Sequence, residues 1–234
     1  MAEALCLYYG AGRVDELSRY RRVVLQTEVY TPGELAVLAE RGVQTLGYLS
    51  MSEDTGPPAP WQRVAHNPDW GGAYVHVGHP GWVERVVGQA TAVVQAGFGG
   101  LFLDTLNVEL TYPEDVPALL ALVGAVRERA KPGYLLANRG FGLLPELADL
   151  VDGLLFESFS VRWTDGGGYA AWPPDVLEQH AQIAEQLLAL DLDRYALDYA
   201  DGPADGPGLA AFARRRAAQF GLTPVISDKS LSRL

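Results

Sequence analysis

The feature that most constrains this fold is a regular alternation of short apolar runs with amphipathic helical patterns. Leu101–Phe102–Leu103 exemplifies the runs, because it lacks the polar alternation of a half-exposed strand. Such runs are typical of parallel strands that are buried on both faces. Eight strands that alternate with helices within 234 residues predict an α/β chain that folds as a (β/α)8 TIM barrel in a single domain, residues 1–234. An open doubly wound sheet is the alternative, but no glycine-rich phosphate-binding motif follows any of the runs.

The predicted elements alternate along the whole chain. The strands cover residues 4–9, 23–28, 43–50, 99–105, 134–139, 153–158, 195–199 and 223–228. The helices cover residues 14–20, 31–42, 82–95, 113–131, 144–150, 174–190 and 209–220. Thr31, Pro32 and Glu34 are a helix-start pattern, since they combine an N-cap, a proline in the first turn and a capping-box acid.

Residues 53–80 interrupt this rhythm with a long loop excursion that is rich in proline and aromatic residues. Loops of this length inside a compact domain are usually functional or disordered, and the aromatic content argues against disorder. We expect a lid or subsite wall over the barrel mouth, in which Trp61, Trp70 and Tyr74 stack against substrate. A purely structural role, in which these side chains only pin the loop to the barrel, is an equal alternative.

The composition limits the kinds of partner that the protein is expected to bind. The net charge of -11 argues against nucleic acid or an anionic membrane and favours a neutral or cationic ligand, although solubility alone also explains an acidic surface. No apolar run approaches the roughly 20 residues of a membrane helix. Without a visible leader, the chain as written is expected to be cytoplasmic, or secreted if a leader has been removed. Its single cysteine, Cys6, excludes an internal disulfide and is predicted to be inert core.

Polar side chains recur where the predicted strands end. They are Glu28, Ser50, Asp104, Asn138, Glu157, Asp198 and Asp228. In a barrel the carboxyl ends of the strands surround one mouth, where active sites form. Any one of these acids could instead cap the next helix, but seven such positions make that explanation hard to sustain. A ring rich in carboxylates suits general acid/base chemistry on a polyhydroxylated substrate.

Other chemistries have weaker support in the sequence. The histidines, His66, His76, His79 and His180, lack zinc-site spacing, and Ser158 lacks a nucleophile-elbow motif. Carboxylates also suit Mg²⁺ or Ca²⁺, but the phosphate-binding groups that usually accompany Mg²⁺ are not visible. We therefore expect no metal and no cofactor. A metal-dependent lyase or aldolase and a non-catalytic carbohydrate-binding barrel remain the alternatives.

Seven segments, in order, carry a resemblance that spans most of the chain. They are VVLQTE, GYLSMSED, NPDWGGAYVHVGHPGWVERV, GFGGLFLDTLN, LLANRGF, VDGLLFES and YALDYAD. Together they resemble the TIM-barrel glycoside hydrolase family 114, the endo-α-1,4-polygalactosaminidases and their uncharacterised relatives. The resemblance implies a carbohydrate substrate, a catalytic pair formed by Asp104 and Glu157, and a sugar-binding cleft. The residues expected to bind substrate are Glu28, Tyr48, Ser50, Glu53, Trp70, Asn107, Asn138, Asp198, Tyr199 and Asp228. Asn107 departs from the family pattern, which has a second Asp there.

The predicted reaction is hydrolysis of an α-linked amino-sugar polymer. Following the resemblance, Asp104 is the nucleophile and Glu157 the acid/base, although the two roles are exchangeable. Glu28, Asp198 and Asp228 are expected to bind the ammonium groups. One strand separates the two catalytic strands, which places their backbones roughly 9–10 Å apart. Their carboxyl groups can then approach to about 5–5.5 Å, the spacing for retention, whereas about 6.5–9.5 Å implies inversion. We expect retention.

Overall fold

A computed structural model describes residues 2–201 and 207–234 and contains thirteen strands and six α-helices in these ranges. The strands are β1 Glu3–Tyr8, β2 Tyr20–Leu25, β3 Gln44–Ser50, β4 Glu53–Asp54, β5 Gln62–His66, β6 Ala73–Val75, β7 Gly100–Asp104, β8 Leu135–Asn138, β9 Gly153–Glu157, β10 Val161–Thr164, β11 Gly168–Ala171, β12 Asp193–Tyr199 and β13 Thr223–Ser227. The α-helices are α1 Val14–Leu17, α2 Pro32–Glu40, α3 Pro80–Gln95, α4 Val116–Ala130, α5 Pro174–Leu187 and α6 Leu209–Gln219.

Eight of the strands form one parallel sheet in the order β1-β2-β3-β7-β8-β9-β12-β13, which is their order in the chain. Helices lie between successive strands along the sequence, and β1 and β13, at the two ends of this order, contact each other. The prediction of a (β/α)8 barrel is therefore confirmed. The contacts divide the chain into two compact units, one of residues 46–152 and one of residues 1–45 and 153–234. The assignment of residues 1–234 to one domain with a lid stays a prediction.

The unit that comprises residues 1–45 and 153–234 contains β1, β2, β9, β12 and β13. Its strands are apolar on both faces, as the burial of Leu7, Val24 and Leu155 shows. Near the strand starts, Arg22 is 7% exposed, and its guanidinium donates to Gln44 Oε1, Asp193 Oδ2 and Tyr195 Oη at 2.7–2.8 Å. Such a bonded network at the amino-terminal ends is a stabilising feature of this fold rather than a catalytic one.

The unit of residues 46–152 packs α3 and α4 beside β7 and β8. Gly100 permits the close approach of β8, because a Cβ atom at this position would lie 2.3 Å from the backbone oxygen of Tyr134. Trp82 of α3 is buried and donates through Nε1 to the carbonyl oxygen of Met51 at 2.9 Å. The first turn of α3 is thereby fixed to the segment that follows β3.

Two antiparallel sheets were not predicted. Within the excursion, β4, β5 and β6 form a three-stranded sheet, and β10 and β11 form a hairpin around residues 165–167. Their strands contain two to five residues and have little apolar alternation, so the sequence pattern does not reveal them. The helix predicted over residues 144–150 is a 3-10 turn, Glu146–Asp149.

The capping box at Thr31 is confirmed. Its hydroxyl accepts from the backbone of Glu34, and the Glu34 carboxylate accepts from the backbone of Thr31. Cys6 is buried, and burial raises the pKa of its thiol to about 12, so the side chain stays protonated in the core. In the described part of the chain, no helix combines the length and the apolar character needed to cross a bilayer.

Candidate active site

Asp104 is the last residue of β7, and neutral donors from the strands on either side hold its carboxylate. The hydroxyl of Tyr48 on β3 donates to Oδ2, and the amide of Asn138 on β8 donates to Oδ1, both at 2.9 Å. The arrangement therefore presents an oriented carboxyl group at the end of the strand.

Thr105 connects this strand end to the turn after β3. Its hydroxyl oxygen accepts from the backbone of Met51 at 3.0 Å and of Ser52 at 2.9 Å, and its carbonyl oxygen accepts from the Ser52 hydroxyl at 2.5 Å. Its φ of 60° is left-handed, a conformation that is unfavourable for a β-branched residue. The hydrogen bonds hold Thr105 in this strained conformation directly beside Asp104.

Glu53 lies in the same unit and shares an electrostatic environment with Asp104. The Ser50 hydroxyl donates to its backbone oxygen, and the Asn67 amide donates to its Oε1, both at 2.8 Å. Burial raises the pKa of Glu53; the Asn67 bond opposes this rise, and the charge of Asp104 adds to it. Within the described ranges neither carboxylate forms an ion pair with a Lys or Arg side chain.

The three candidate aromatic side chains of the excursion lie in different environments. Trp61 is fixed structurally, since Nε1 donates to Asp54 Oδ2 at 2.8 Å and its ring packs beside Trp82 of α3. Tyr74 makes an edge contact with Tyr112. Trp70 is 63% exposed between β5 and β6. The pinning role is therefore the observed one for Trp61, while Trp70 retains a surface that can stack on a ligand.

Glu157 is the last residue of β9, and its carboxylate is held from β12. The hydroxyl of Tyr199 donates to Glu157 Oε1 at 2.5 Å. Glu157 is paired with Leu197 in the parallel register, so Tyr199, two residues further on, projects from the same face of the sheet. Ser158 follows with a left-handed φ of 55°, and its backbone N–H donates to the carbonyl oxygen of Leu197 at 2.7 Å.

Asp198 does not line a sugar-binding cleft as predicted, and this corrects both its substrate-binding and its ammonium-binding assignment. It is 0% exposed, and its Oδ1 accepts from the backbone of Ser160 at 2.6 Å and of Val161 at 2.7 Å. Burial raises its pKa to about 6, although these hydrogen bonds and the charge of Arg216 act in the opposite direction. The carboxylate thus fastens the start of the β10–β11 hairpin.

Asp228 is likewise used by its own turn. It accepts from the Ser230 hydroxyl and from the backbone and hydroxyl of Ser232 at 2.9–3.1 Å. Burial alone would raise its pKa, but these bonds outweigh burial and lower it. These bonds close the turn after β13, and the binding of ammonium by Asp228 stays a prediction.

The other predicted residues have distinct positions. Glu28 is exposed in a turn beyond β2, which ends three residues earlier than the sequence suggested. Asn107 Oδ1 accepts from the backbone of Gly140 at 3.2 Å, which joins the segments after β7 and β8. No cluster of three or more His, Cys, Asp or Glu side chains arranged to hold a metal ion occurs in residues 2–201 and 207–234.

A backbone feature that sequence reasoning missed marks the same strand ends. Asp104, Asn138 and Glu157 are each followed by a non-glycine residue with a left-handed φ of 55–60°, namely Thr105, Arg139 and Ser158. Such conformations cost on the order of 1–3 kcal/mol and cluster at functional sites. None of these residues is a glycine or asparagine, so their composition gives no sign of the conformation.

Solved structures share this architecture over nearly the full chain. The glycoside hydrolase domain of PelA from Pseudomonas aeruginosa superposes with a TM-score of 0.86 at 26% identity, covering 99% of this chain and 96% of that one. Ega3 of Aspergillus fumigatus, solved in complex with galactosamine, gives a TM-score of 0.71 at 11% identity, covering 98% and 92%. The resemblance to glycoside hydrolase family 114 is confirmed.

Two further proteins are similar to this chain, one in fold and one in sequence. The α-galactosidase TtGalA of Thermus thermophilus shares the barrel fold at a TM-score of 0.63 and 13% identity, covering 95% of this chain and 57% of that one. An uncharacterised protein of Deinococcus radiodurans is 24% identical over 216 residues, which are 84% of this chain and 68% of the relative. No protein-family model matches the chain. The chain thus has glycoside hydrolase domains among its structural neighbours.

Proposed function

We propose that this chain is a glycosidase that cleaves α-linked galactosamine-type polysaccharide internally, with Asp104 and Glu157 as its two carboxylates. The observation that carries the proposal is the likeness to the PelA glycoside hydrolase domain, which extends over 99% of the chain at 26% identity. The hydrogen bonds of Asp104 and Glu157 at strand ends support it, because a nucleophile or a general acid requires a fixed orientation.

In the proposed reaction, Glu157 protonates the glycosidic oxygen while an Asp104 oxygen attacks the anomeric carbon. The bond from that carbon to the leaving oxygen breaks as the bond to Asp104 forms. Water then attacks the same carbon, Glu157 takes a proton from the water, and Asp104 leaves as a carboxylate. The donors Tyr48 and Asn138 orient the Asp104 carboxylate for attack, and Tyr199 orients Glu157.

Selectivity for an amino sugar is assigned to Glu53. It shares an electrostatic environment with Asp104, and neither has a Lys or Arg counter-ion within the described residues. A substrate ammonium group would supply that charge, and a charge-assisted hydrogen bond contributes about 1.5–3 kcal/mol. E53Q is therefore expected to raise KM at least about tenfold for a galactosamine oligomer and to leave it unchanged for the fully N-acetylated oligomer. Equal KM changes for both oligomers would remove Glu53 from ammonium recognition.

The excursion, residues 53–80, is proposed to cover bound substrate, with Trp70 as its stacking residue. Aromatic side chains offer a flat apolar face to sugar rings, and Trp70 is 63% exposed at the turn between β5 and β6. W70A should weaken oligomer binding several-fold in calorimetry with little change in thermal stability. V64A, at a 97% exposed position of the same sheet, is the matched control.

The deciding experiment measures turnover of a partly deacetylated α-1,4-galactosamine polymer by the wild type and by D104N. Hydrolysis by the wild type that is lost in D104N supports the proposal. Binding without turnover by the wild type would leave a sugar-binding barrel, and activity that a chelator abolishes would favour a metal-dependent lyase or aldolase.

Stereochemistry is tested separately, by following the anomeric configuration of the first-formed product by NMR. We expect retention. An inverted product would remove the nucleophile role of Asp104 and leave it as a general base.

A further inference from the structure

Strand β12 bonds to the region of Glu157 with two successive side chains that project from opposite faces of the sheet. Tyr199 is on the face of Glu157 and donates to its carboxylate. Asp198 projects from the other face, where its carboxylate accepts from the backbone of Ser160 and Val161. Strand β12 therefore holds both the side chain of Glu157 and the backbone that follows Glu157.

The link between Glu157 and the bonded amides is only three residues long, Ser158–Ser160, and it is fixed at several points. The backbone of Ser158 is left-handed and donates to Leu197 of β12. The carbonyl oxygen of Ser158 accepts from Trp172 Nε1 at 2.7 Å. A shift of the amides held by Asp198 would therefore be transmitted to Ser158, and from there to Glu157.

The Asp198 carboxylate, which holds this link, lies in an environment that is unfavourable for a charged group. Asp198 is fully buried, and its Oδ1 is the atom that accepts the two backbone N–H groups. Burial raises its pKa to about 6, so water would solvate the anion better than the protein does. The anion nevertheless accepts two hydrogen bonds from backbone N–H groups, at 2.6 and 2.7 Å, which is the short end of the N–H···O range.

We propose that Asp198 is a positioning residue, which fixes the Ser158–Ser160 link and thereby the orientation of the Glu157 carboxylate. Its relevance to catalysis rests on the role proposed above for Glu157, whereas the backbone clamp itself does not. The effect is transmitted through the backbone, so the anion acts without touching substrate.

The clamp is tested without substrate, by amide hydrogen exchange measured by NMR on the wild type and D198N at pH 7. Asn keeps the volume and one acceptor oxygen but loses the charge. We expect at least tenfold faster exchange at Ser160 and Val161 and a smaller acceleration at Ser158. Unchanged exchange at Ser158 would overturn the inference. If D198N does not fold, the smaller neutral variant D198S takes its place.

The matched control is D152N. Asp152 also accepts a backbone N–H, that of Leu135 at 2.7 Å, but it precedes β9 rather than following it. D152N should accelerate exchange at Leu135 and leave Ser158 unchanged. Acceleration at Ser158 in both variants would indicate general loosening and overturn the specific clamp.

The catalytic consequence is tested on the galactosamine oligomer. D198N is expected to lower kcat about tenfold with KM within twofold, since Asp198 does not contact substrate. Combined with Y199F, it should cost less than the product of the two single effects, because both act through Glu157. Multiplicative losses, or a change confined to KM, would overturn the positioning role. Absence of turnover in the wild type would refute the proposed function instead, and hydrogen exchange would still decide the clamp.

Discussion

The two candidate carboxylates meet the same structural requirement in different ways. Asp104 and Glu157 each end a strand, each accept a hydrogen bond from a tyrosine on a neighbouring strand, and each precede a left-handed residue. We use the word brace for the group whose hydrogen bonds hold the chain just after the strand end. At Asp104 the brace is the next residue, Thr105, whose hydroxyl accepts hydrogen bonds from two backbone N–H groups. At Glu157 the brace is the carboxylate of Asp198, about forty positions further along the chain.

This difference has an electrostatic consequence. The Thr105 brace is neutral, so its strength does not depend on protonation. The Asp198 brace is an anion in a buried position, and burial raises its pKa to about 6, close to neutrality. The two strand ends should therefore respond differently to substitution and to pH, although their local geometry is alike.

Removing either carboxylate should have the largest effect on activity. The loss should be similar at the two strand ends. D104N and E157Q keep the size of the side chain, and each is expected to lower kcat on the order of 10⁴-fold, since groups that act as a unit fail together. Thermal unfolding checks that both variants fold. Near-normal activity in one variant, with loss in the other, would show that the two carboxylates do not act as a pair.

The sequence was informative about these strand ends because each lies at the close of a continuous apolar run. It was misleading about Asp198 because a strand alternates its faces at every residue, so Asp198 and Tyr199 point in opposite directions. The strand was correctly predicted to end at Tyr199, but both residues were assigned to the cleft, although only Tyr199 projects from the face of Glu157. The hydrogen-bond partners of Asp228 could not be predicted either, since Ser230 and Ser232 follow the strand in a turn that apolar patterning does not describe.

The neutral brace should contribute more to stability than a surface hydroxyl does. T105A removes the acceptor for the buried backbone N–H of Ser52, and an unsatisfied buried donor costs about 1–3 kcal/mol. We expect the free energy of unfolding in urea to fall by about 2 kcal/mol. T91A, which removes a hydroxyl that bonds only within α3, is the control and should change stability by less than about 0.5 kcal/mol. Equal effects would refute the brace.

The anionic brace should leave a signature in the pH dependence of stability. The pKa of Asp198 is about 6 when folded and near its ordinary value of 3.8 when unfolded, so between these values the folded state binds more protons. Stability from this group is therefore full below pH 4 and is lost as pH rises through 6, by about 2–3 kcal/mol. The difference in unfolding free energy between wild type and D198N should show this fall between pH 4 and 7. A difference that is independent of pH would exclude a buried, titrating Asp198.

The smallest effect, and the one that compares the two strand ends most directly, is glycine substitution at the left-handed positions. Glycine relieves about 1–2 kcal/mol of steric cost in this conformation but loses about 0.5–1 kcal/mol through backbone entropy. Because the Ser158 hydroxyl makes no hydrogen bond within the described residues, S158G should be stabilising by about 0.5 kcal/mol. T105G also loses the hydroxyl that Met51 and Ser52 use, so it should be destabilising by about 1 kcal/mol. Urea denaturation of both variants measures the sign. If S158G is destabilised as much as T105G, the Ser158 side chain has a structural task of its own, and the contrast between a local brace and a remote one no longer holds.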